Sequence, residues 1–296
     1  MPTSSLLPAT PCGDMSSPAG VPPCLEPTPS QWEAWTAFRR FLAGREDAMV
    51  LTGAAGTGKS TLVAVLVQEA LLQRWRVVVT APTGRAAWLL KQRLGHADLE
   101  VGTLHRFLYA AEGMEEVEDP EYGDLPLFRF ALKPGREEAR TLLVVDEASM
   151  VGELESTNPG LRFGSGSLLK DLVAWLRSCR GEAKVLLVGD PCQLPPVTEC
   201  QSPALEAAHL EAEYGLATRT AGLREVMRQA GSSPILALAT AFRKCLEENR
   251  PLDGRLPAGD DLQALPRALV LGRYCELARR HGEASVVLLA RTNNLV

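Results

Sequence analysis

The chain has 296 residues, enough for one large domain or two ordinary ones, and its 46% hydrophobic and 23% charged residues are typical of a folded globular protein. Its formal net charge of -5 gives no overall attraction to nucleic acid or anionic membranes, so any nucleic-acid contact requires a local basic groove. The seven cysteines contain no C-x-x-C pair, and neither a zinc site nor a disulfide framework is expected. There is no signal peptide and no apolar run of ~18 residues that would span a membrane, which favours a cytosolic protein.

The N-terminal region divides into a tail and a first helix. Residues 1–27 are rich in proline, serine, threonine and glycine, and we expect them to be disordered. The segment from Ser30 to Glu33 matches a capping box, in which the serine caps the Glu33 amide. A helix of about three turns is therefore predicted from Ser30 through Phe41.

Short apolar runs alternate with amphipathic stretches from residue 48 onward. Runs that are too apolar to be half exposed, each followed by a helical pattern, indicate a parallel sheet covered by helices on both faces. The predicted fold class is therefore α/β. The predicted strands cover residues 48–52, 76–81, 141–146 and 183–190, and the predicted helices cover residues 59–73, 84–94 and 168–178.

Three further segments complete the pattern. An acidic stretch at 112–124 and a stretch of small residues at 155–167 are predicted to be surface loops. Beyond about residue 200 the pattern is mostly helical, until residues 284–290 predict one more buried strand.

Residues 53–60 read GAAGTGKS and fill every position of the phosphate-loop pattern G-x-x-x-x-G-K-[ST], between a predicted strand and a predicted helix. Glycines let backbone N–H groups close around phosphates, and the helix N-terminus adds partial positive charge. Lys59 is expected to reach the β- and γ-phosphates and Ser60 to ligate Mg²⁺, so ATP and Mg²⁺ are the predicted cofactors. The predicted nucleotide contacts are Gly53, Ala54, Ala55, Gly56, Thr57, Gly58, Lys59, Ser60 and Thr61.

The predicted strand at 141–146 ends in two adjacent carboxylates. A Mg²⁺-dependent hydrolase needs such groups beside its phosphate loop: Asp146 would hold the metal, and Glu147 would activate the attacking water. In isolation, the alternative is an acidic pair that is exposed to solvent at the end of a strand.

Five motifs occur along the chain: GAAGTGKS, APTGRAA (81–87), DEASM (146–150), GDPCQLPPV (189–197) and REVMRQ (224–229). In this order they resemble superfamily 1 helicases, most closely the RecD/Dda-type, 5′-to-3′ branch. The resemblance spans residues 28 to about 296. It implies an ATP-dependent DNA helicase, whose RecA-like domains couple ATP hydrolysis to movement along single-stranded DNA.

The resemblance assigns roles to four residues around the nucleotide. Gln31 matches a family glutamine that reads adenine through its paired donor and acceptor, although alone it would be an ordinary exposed helix residue. Gln193 matches a glutamine that senses the γ-phosphate, and Asp190 begins the same loop and is expected to hold it in shape. Arg228 matches an arginine that reaches the γ-phosphate from the second domain, the alternative being a solvated helix arginine.

Two segments are predicted to contact DNA. APTGRAA follows a predicted strand, and its family counterpart touches the backbone of single-stranded DNA, while GTLHRF (102–107) resembles the family's second DNA-contact segment. For the threonine and the phenylalanine of GTLHRF, the alternatives are a helix cap and a core aromatic. The candidate DNA contacts are Pro82, Thr83, Gly84, Arg85, Thr103, His105 and Phe107.

The sequence departs from the family in its second half. Two late motifs of the family's second RecA-like domain, one resembling V-H-K-[AS]-Q-G and one ending in an arginine finger, do not occur. Asn293 matches a family asparagine that follows the first strand of that domain. We therefore expect residues 28–200 to form the first RecA-like domain and residues 201–296 to form a helical linker and an incomplete second one. Such a chain resembles the N-terminal portion of a helicase, missing its C-terminal domain and hydrolysing ATP poorly alone.

The main alternative is a non-motor ATP-binding module that switches a partner or clamps DNA without unwinding it. DNA-stimulated hydrolysis that is lost on Lys59→Ala would separate the helicase from this module. A GTPase would need an N-K-x-D motif and a small-molecule kinase an arginine-rich lid, and neither class accounts for GDPCQLPPV or REVMRQ.

Overall fold

The structure is a computed structural model of the chain, and it describes residues 27–95, 99–117, 127–135, 139–155, 161–197, 199–226, 234–251 and 262–289. Residues 1–26 of the predicted tail, Arg228 and Asn293 lie outside the described residues. The chain divides into two compact units, Met1–Arg228 and Gln229–Val296.

The described residues form strands β1 to β9 and helices α1 to α8. None of these helices is long and apolar enough to cross a membrane. The strands are β1 Ala48–Gly53, β2 Arg76–Ala81, β3 Glu100–Thr103, β4 Tyr109–Val117, β5 Leu127–Leu132, β6 Thr141–Val145, β7 Leu161–Phe163, β8 Ala183–Gly189 and β9 Thr218–Leu223. The helices are α1 Pro29–Ala43, α2 Lys59–Leu72, α3 Gly84–Leu94, α4 Leu104–Leu108, α5 Leu168–Ser178, α6 Ala207–Tyr214, α7 Pro234–Glu247 and α8 Arg267–His281.

Six strands form one parallel sheet in the order β3-β2-β6-β8-β1-β9. Alternate residues of a strand face opposite sides of the sheet. Met49 and Leu51 of β1 therefore join the core beneath α1, α2 and α3, whereas Ala48 and Val50 join the core beneath α4, α5 and α6. The predicted α/β class is confirmed, and the predicted strands and helices of this region agree with the structure to within one residue at each end.

Three other strands form a small separate sheet in the order β4-β5-β7. The prediction of surface loops at 112–124 and 155–167 is wrong where β4 and β7 occupy these stretches. The acidic stretch pairs with β5, and Phe163 of β7 stacks on Phe130 of β5 with ring centroids 4.9 Å apart. Partners distant in sequence therefore override the local composition. Residues 118–124 and 156–160 of the predicted loops lie outside the described residues.

The central sheet continues past the predicted domain boundary at residue 200. Strand β9 pairs in parallel with β1, from Ala48 opposite Thr218 to Gly53 opposite Leu223. Its side chains are half-buried or exposed except for Leu223, so the sequence lacks the apolar run that identified the other strands. The assignment of residues 28–200 to a first RecA-like domain, and of residues 201–296 to a linker and an incomplete second one, stays a prediction.

The first helix begins two residues earlier than a cap at Ser30 would place it. Thr28 is the N-cap: its hydroxyl accepts from the Gln31 amide at 3.3 Å, and the Gln31 side chain accepts from the Thr28 amide at 3.1 Å. The predicted box of Ser30 and Glu33 is therefore wrong. Ser30 is buried in the first turn, where its hydroxyl donates to the carboxylate of Glu225. The Ser30 hydroxyl therefore bonds to a residue that is distant in the sequence and does not form the helix cap that the local pattern had predicted.

The second compact unit contains α7 and α8. The predicted strand at 284–290 is wrong over its described residues, because a 3₁₀ turn at Glu283–Ser285 is followed by irregular chain. Val287 is 71% exposed and Leu289 is 87% exposed. An apolar run becomes a buried strand only where a neighbouring strand and a packing layer accept it, and residues 286–289 have no such pairing.

Substitution of Thr28 tests the observed cap. Thr28→Ala removes the side-chain acceptor of the Gln31 amide, so we expect the free energy of unfolding to fall by about 1 kcal/mol. Thr36→Ala, inside the same helix, is the matched control and should leave stability unchanged or raise it by about 0.5 kcal/mol through helix propensity. Urea denaturation followed by circular dichroism measures both variants, and equal stabilities would contradict the cap.

Candidate functional site

The phosphate loop connects β1 to α2 and depends on three glycines. Gly56 and Gly58 have φ values of 87° and 82°, a left-handed conformation that side chains disfavour. A Cβ on Gly53 would lie 2.7 Å from the Thr57 hydroxyl, so only glycine lets the loop curl back on itself there. The loop therefore has the backbone needed to aim its N–H groups inward, directly before the N-terminus of α2, which begins at Lys59.

Lys59 is held inside this loop. Its side chain is 9% exposed, and its Nζ donates to the carbonyl oxygens of Gly53 at 2.6 Å and Ala54 at 3.1 Å. Phosphate oxygens are stronger acceptors than carbonyl groups, so a bound triphosphate could exchange for these contacts. Ser60, half-buried in the first turn of α2, offers a hydroxyl oxygen of the kind that Mg²⁺ accepts.

Gln31 connects the cap of α1 to the phosphate loop. Its Nε2 donates to the carbonyl oxygen of Thr57 at 3.1 Å, while its Oε1 belongs to the cap at Thr28. Gln31 is therefore not an ordinary exposed helix residue, which was the alternative to its predicted role. The structure places it against the nucleotide loop, and adenine recognition stays a prediction.

Asp146 and Glu147 follow the fully buried strand β6. The Asp146 amide donates to the carbonyl oxygen of Thr80 at 2.9 Å, and an Asp146 carboxylate oxygen accepts from the Glu147 amide at 3.0 Å. Burial, with the nearby Glu147 carboxylate adding to it, raises the pKa of Asp146 to about 6. A bound cation stabilises the ionised form of such a carboxyl, so the buried Asp146 fits a metal ligand better than a solvated acidic pair.

Gln193 lies in the loop that follows β8. In the sheet, β8 lies between β6, which precedes the two carboxylates, and β1, which precedes the phosphate loop. Asp190 shapes this loop, as predicted: it is 1% exposed, its carboxylate accepts from the Cys192 amide at 3.0 Å, and its carbonyl accepts from the Gln193 amide at 3.0 Å. The Gln193 side chain is exposed. Its predicted γ-phosphate contact stays a prediction.

A contact that the sequence did not predict fastens the Gln193 loop to the chain after the carboxylates. One Glu199 carboxylate oxygen accepts from the amides of Glu153 at 2.7 Å and Leu154 at 3.0 Å. Gly152 makes room for this contact, because a Cβ there would lie 2.5 Å from the same oxygen and 2.8 Å from Pro196. We call the pair of hydrogen bonds the Glu199 latch. No sequence spacing reveals it, since its partners are about 45 residues apart.

The first predicted DNA segment surrounds the N-terminus of α3. Thr83 caps this helix by accepting from the Ala86 amide at 3.3 Å. Thr83, Gly84 and Arg85 are exposed, and Pro82 is half-buried. The residues therefore lie together at the surface, directly after the carboxyl end of β2.

The second predicted segment begins beside the first, because Thr103 pairs with the last residue of β2. Thr103 caps α4 by accepting from the Arg106 amide at 3.2 Å, and Phe107 packs edge-on against Trp175 with centroids 4.9 Å apart. These are the helix cap and the core aromatic that stood as alternatives. The His105 ring lies 5.1 Å from that of Phe163, and burial lowers its pKa, which favours the neutral imidazole. DNA contact by these residues stays a prediction.

The Glu199 latch can be tested by amide hydrogen exchange. Glu199→Ala removes the shared acceptor, so the amides of Glu153 and Leu154 should exchange about tenfold faster or more. Glu155→Ala is the matched control, because it removes a neighbouring exposed carboxylate that pairs with Arg162 instead. Unchanged exchange at both amides of the Glu199 variant would refute the latch.

Comparison with known proteins identifies relatives for this chain. Residues 28–158 match the family model described as an AAA domain. The chain is 34% identical over 213 residues to the ATP-dependent RecD2 DNA helicase of Deinococcus radiodurans, a match that covers 72% of this chain and 23% of the relative. It is 31% identical over 202 residues to the RecBCD enzyme subunit RecD of Mycobacterium tuberculosis, covering 61% of this chain and 29% of that subunit.

The Pif1 helicase of Candida albicans matches with a TM-score of 0.47 and 24% identity, over 86% of this chain and 55% of that one. The chain spans less than a third of the two curated relatives named above, 23% and 29% of their lengths. The sequence matches to RecD-type helicases agree with the parallel sheet and with the motifs at its edge. The chain therefore carries a RecA-like P-loop domain of the RecD-like branch of the superfamily 1 helicases.

Proposed function

We propose that this chain binds ATP with Mg²⁺ at residues 53–61 and hydrolyses it as the ATPase part of a DNA helicase that moves along single-stranded DNA. One observation carries the proposal: the phosphate loop, the Gln193 loop and the buried Asp146 follow three adjacent strands, β1, β8 and β6, of one parallel sheet. The carboxyl ends of parallel strands meet at one edge, where ligands bind in open α/β sheets. One relative is named as an ATP-dependent RecD2 DNA helicase and another as the RecD subunit of the RecBCD enzyme, which supports the helicase assignment.

The loop residues would bind the triphosphate by exchanging partners. Lys59 would give up the carbonyl groups of Gly53 and Ala54 for the β- and γ-phosphates, and the loop amides would surround the phosphates. Ser60 and Asp146 would hold Mg²⁺, which when bound neutralises phosphate charge. Both supply oxygen ligands, and the buried Asp146 carboxyl favours a cation as its counterion.

Glu147 is the candidate general base. It is half-buried and has a left-handed backbone with a φ of 53°, which turns the chain sharply after Asp146 and keeps two carboxylates at one strand end. Asp146 can then serve the metal while Glu147 takes a proton from water. Unusual backbone conformations of non-glycine residues are enriched at functional sites, which supports this division of roles.

We further propose that the 296-residue chain turns ATP over slowly by itself. Hydrolysis in two-domain motors occurs where both domains close on the nucleotide, and the two late motifs of the family do not occur in this sequence. Robust DNA-stimulated turnover and unwinding by this chain would disprove the proposed weak activity. Tight MgATP binding without any DNA effect would favour the non-motor module instead.

Lys59→Ala tests the nucleotide site. We expect MgATP affinity, measured with a fluorescent ATP analogue, to fall at least about tenfold, because the variant loses the cation that meets the phosphates. Lys170→Ala, which removes an exposed lysine on α5, is the matched control and should bind normally. If Lys59→Ala binds like the wild type, the phosphate loop is not the nucleotide site.

Glu147→Gln separates binding from hydrolysis. The amide has the same size but cannot accept the proton from water, so turnover should fall about 100-fold or more while MgATP affinity stays within about threefold. Phosphate release measures turnover in single-turnover experiments, which are sensitive enough for a slow enzyme. Glu155→Gln, an exposed carboxylate nearby in the chain, is the control. Wild-type turnover by Glu147→Gln would remove this residue from the base role.

A further inference from the structure

Helix α3 carries an exposed tryptophan among cations. Its sequence contains Arg85, Lys91 and Arg93 and no acidic residue, although the whole chain has a net charge of -5. Trp88 is 60% exposed and Leu89 is 41% exposed. A solvent-exposed aromatic ring beside positive charges is the combination with which proteins bind single-stranded nucleic acid.

Trp88 differs from the other tryptophans. All five tryptophans of the chain lie in the described part of the structure. Trp35, Trp75 and Trp175 are at most 7% exposed, and Trp32 is half-buried with its ring centroid 4.9 Å from that of Trp35. Packing of the sheet domain therefore explains those four, whereas most of the Trp88 surface contributes nothing to it.

The spacing along α3 places Trp88 in line with the predicted DNA contacts. Arg85 is three residues before Trp88 and Lys91 three after it, so the two cations flank the ring on one helix face. That face continues to the helix N-terminus at Gly84, where an added Cβ would meet no atom within 4 Å. The route from the exposed Gly84 to Trp88 is thus open, and it is about one helical turn long.

We propose that Trp88 stacks on a base of single-stranded DNA whose backbone runs past the N-terminus of α3. The inference rests on the proposed DNA-dependent function and adds a residue that the helicase motifs do not include. Phosphates would pair with Arg85 and Lys91, and the indole face would cover a base regardless of its identity. The flanking charges select a polyanion over an apolar protein surface, which would have to bury both cations without partners.

Two substitutions separate stacking from other roles of the ring. Binding of a labelled oligothymidylate of about 16 nucleotides is measured by fluorescence anisotropy, with intrinsic tryptophan fluorescence recorded in parallel. Trp88→Ala should weaken binding by about 5- to 150-fold, the loss expected for one stacked base. Trp88→Phe keeps an aromatic face and should bind within about threefold of wild type, but it should lose most of the DNA-induced quenching of tryptophan fluorescence.

Controls make each outcome decisive. Trp32→Phe, in α1, which packs on β1 and β9 whereas α3 packs on β2 and β3, should keep both the affinity and the quenching. The thermal midpoint and MgATP affinity of Trp88→Ala should match the wild type, because the ring is exposed and outside the phosphate loop. If the wild type binds DNA and Trp88→Ala binds it equally well, only the stacking role is overturned. Failure of the wild type to bind DNA overturns both the stacking role and the proposed function.

One further outcome would also overturn the proposal. If sedimentation shows that the wild type self-associates and Trp88→Ala does not, the ring belongs to a contact between copies of the chain. Salt dependence provides the complementary check. Arg85→Ala should reduce the slope of log affinity against log salt by about one, whereas Trp88→Ala should leave that slope unchanged.

Discussion

The parallel pairing of β1, β8 and β6 is the constraint on which the candidate site depends. Thr52 lies opposite Gly189, and Val145 lies opposite Leu187, so the three strands end at one edge and release their loops side by side. Gly189 keeps this edge compact, since a Cβ there would lie 2.8 Å from Leu205 and 3.1 Å from the Ser149 amide. Residues that are far apart in the sequence become one site through backbone pairing alone, before any side-chain contact is considered.

The sequence predicted the parts of the fold that depend on local chemistry. Continuous apolar runs such as β6, whose residues are all buried, can hardly be anything but strands covered on both faces. The phosphate loop was equally predictable, because two of its glycines adopt a left-handed backbone conformation that few other residues adopt. The features that sequence missed share a dependence on distant partners. Strand β9 forms because it can pair with β1. The Glu199 latch forms because two loops that are about 45 residues apart in the sequence lie next to each other in the fold.

The wrong cap at Ser30 shows the same limit within a single turn of helix. Thr28 and Ser30 both carry hydroxyl groups of the kind that can cap a helix, but the predicted cap was Ser30 alone. The structure assigns the cap to Thr28 because Ser30 is buried against Glu225, 195 residues away. That choice matters for the site, since it leaves Gln31 at the position where its side chain reaches both the cap and the phosphate loop.

A short hydrogen-bonded route joins the carboxylate strand to the proposed DNA edge. Thr80 of β2 is 1% exposed; its hydroxyl donates to the Val144 carbonyl at 3.0 Å, and its own carbonyl accepts from the Asp146 amide at 2.9 Å. Pro82 follows two residues later and begins the exposed turn that leads into α3 and Trp88. Strand β2 is thus hydrogen-bonded to the strand that carries the candidate metal ligand, and it continues directly into the predicted DNA segment.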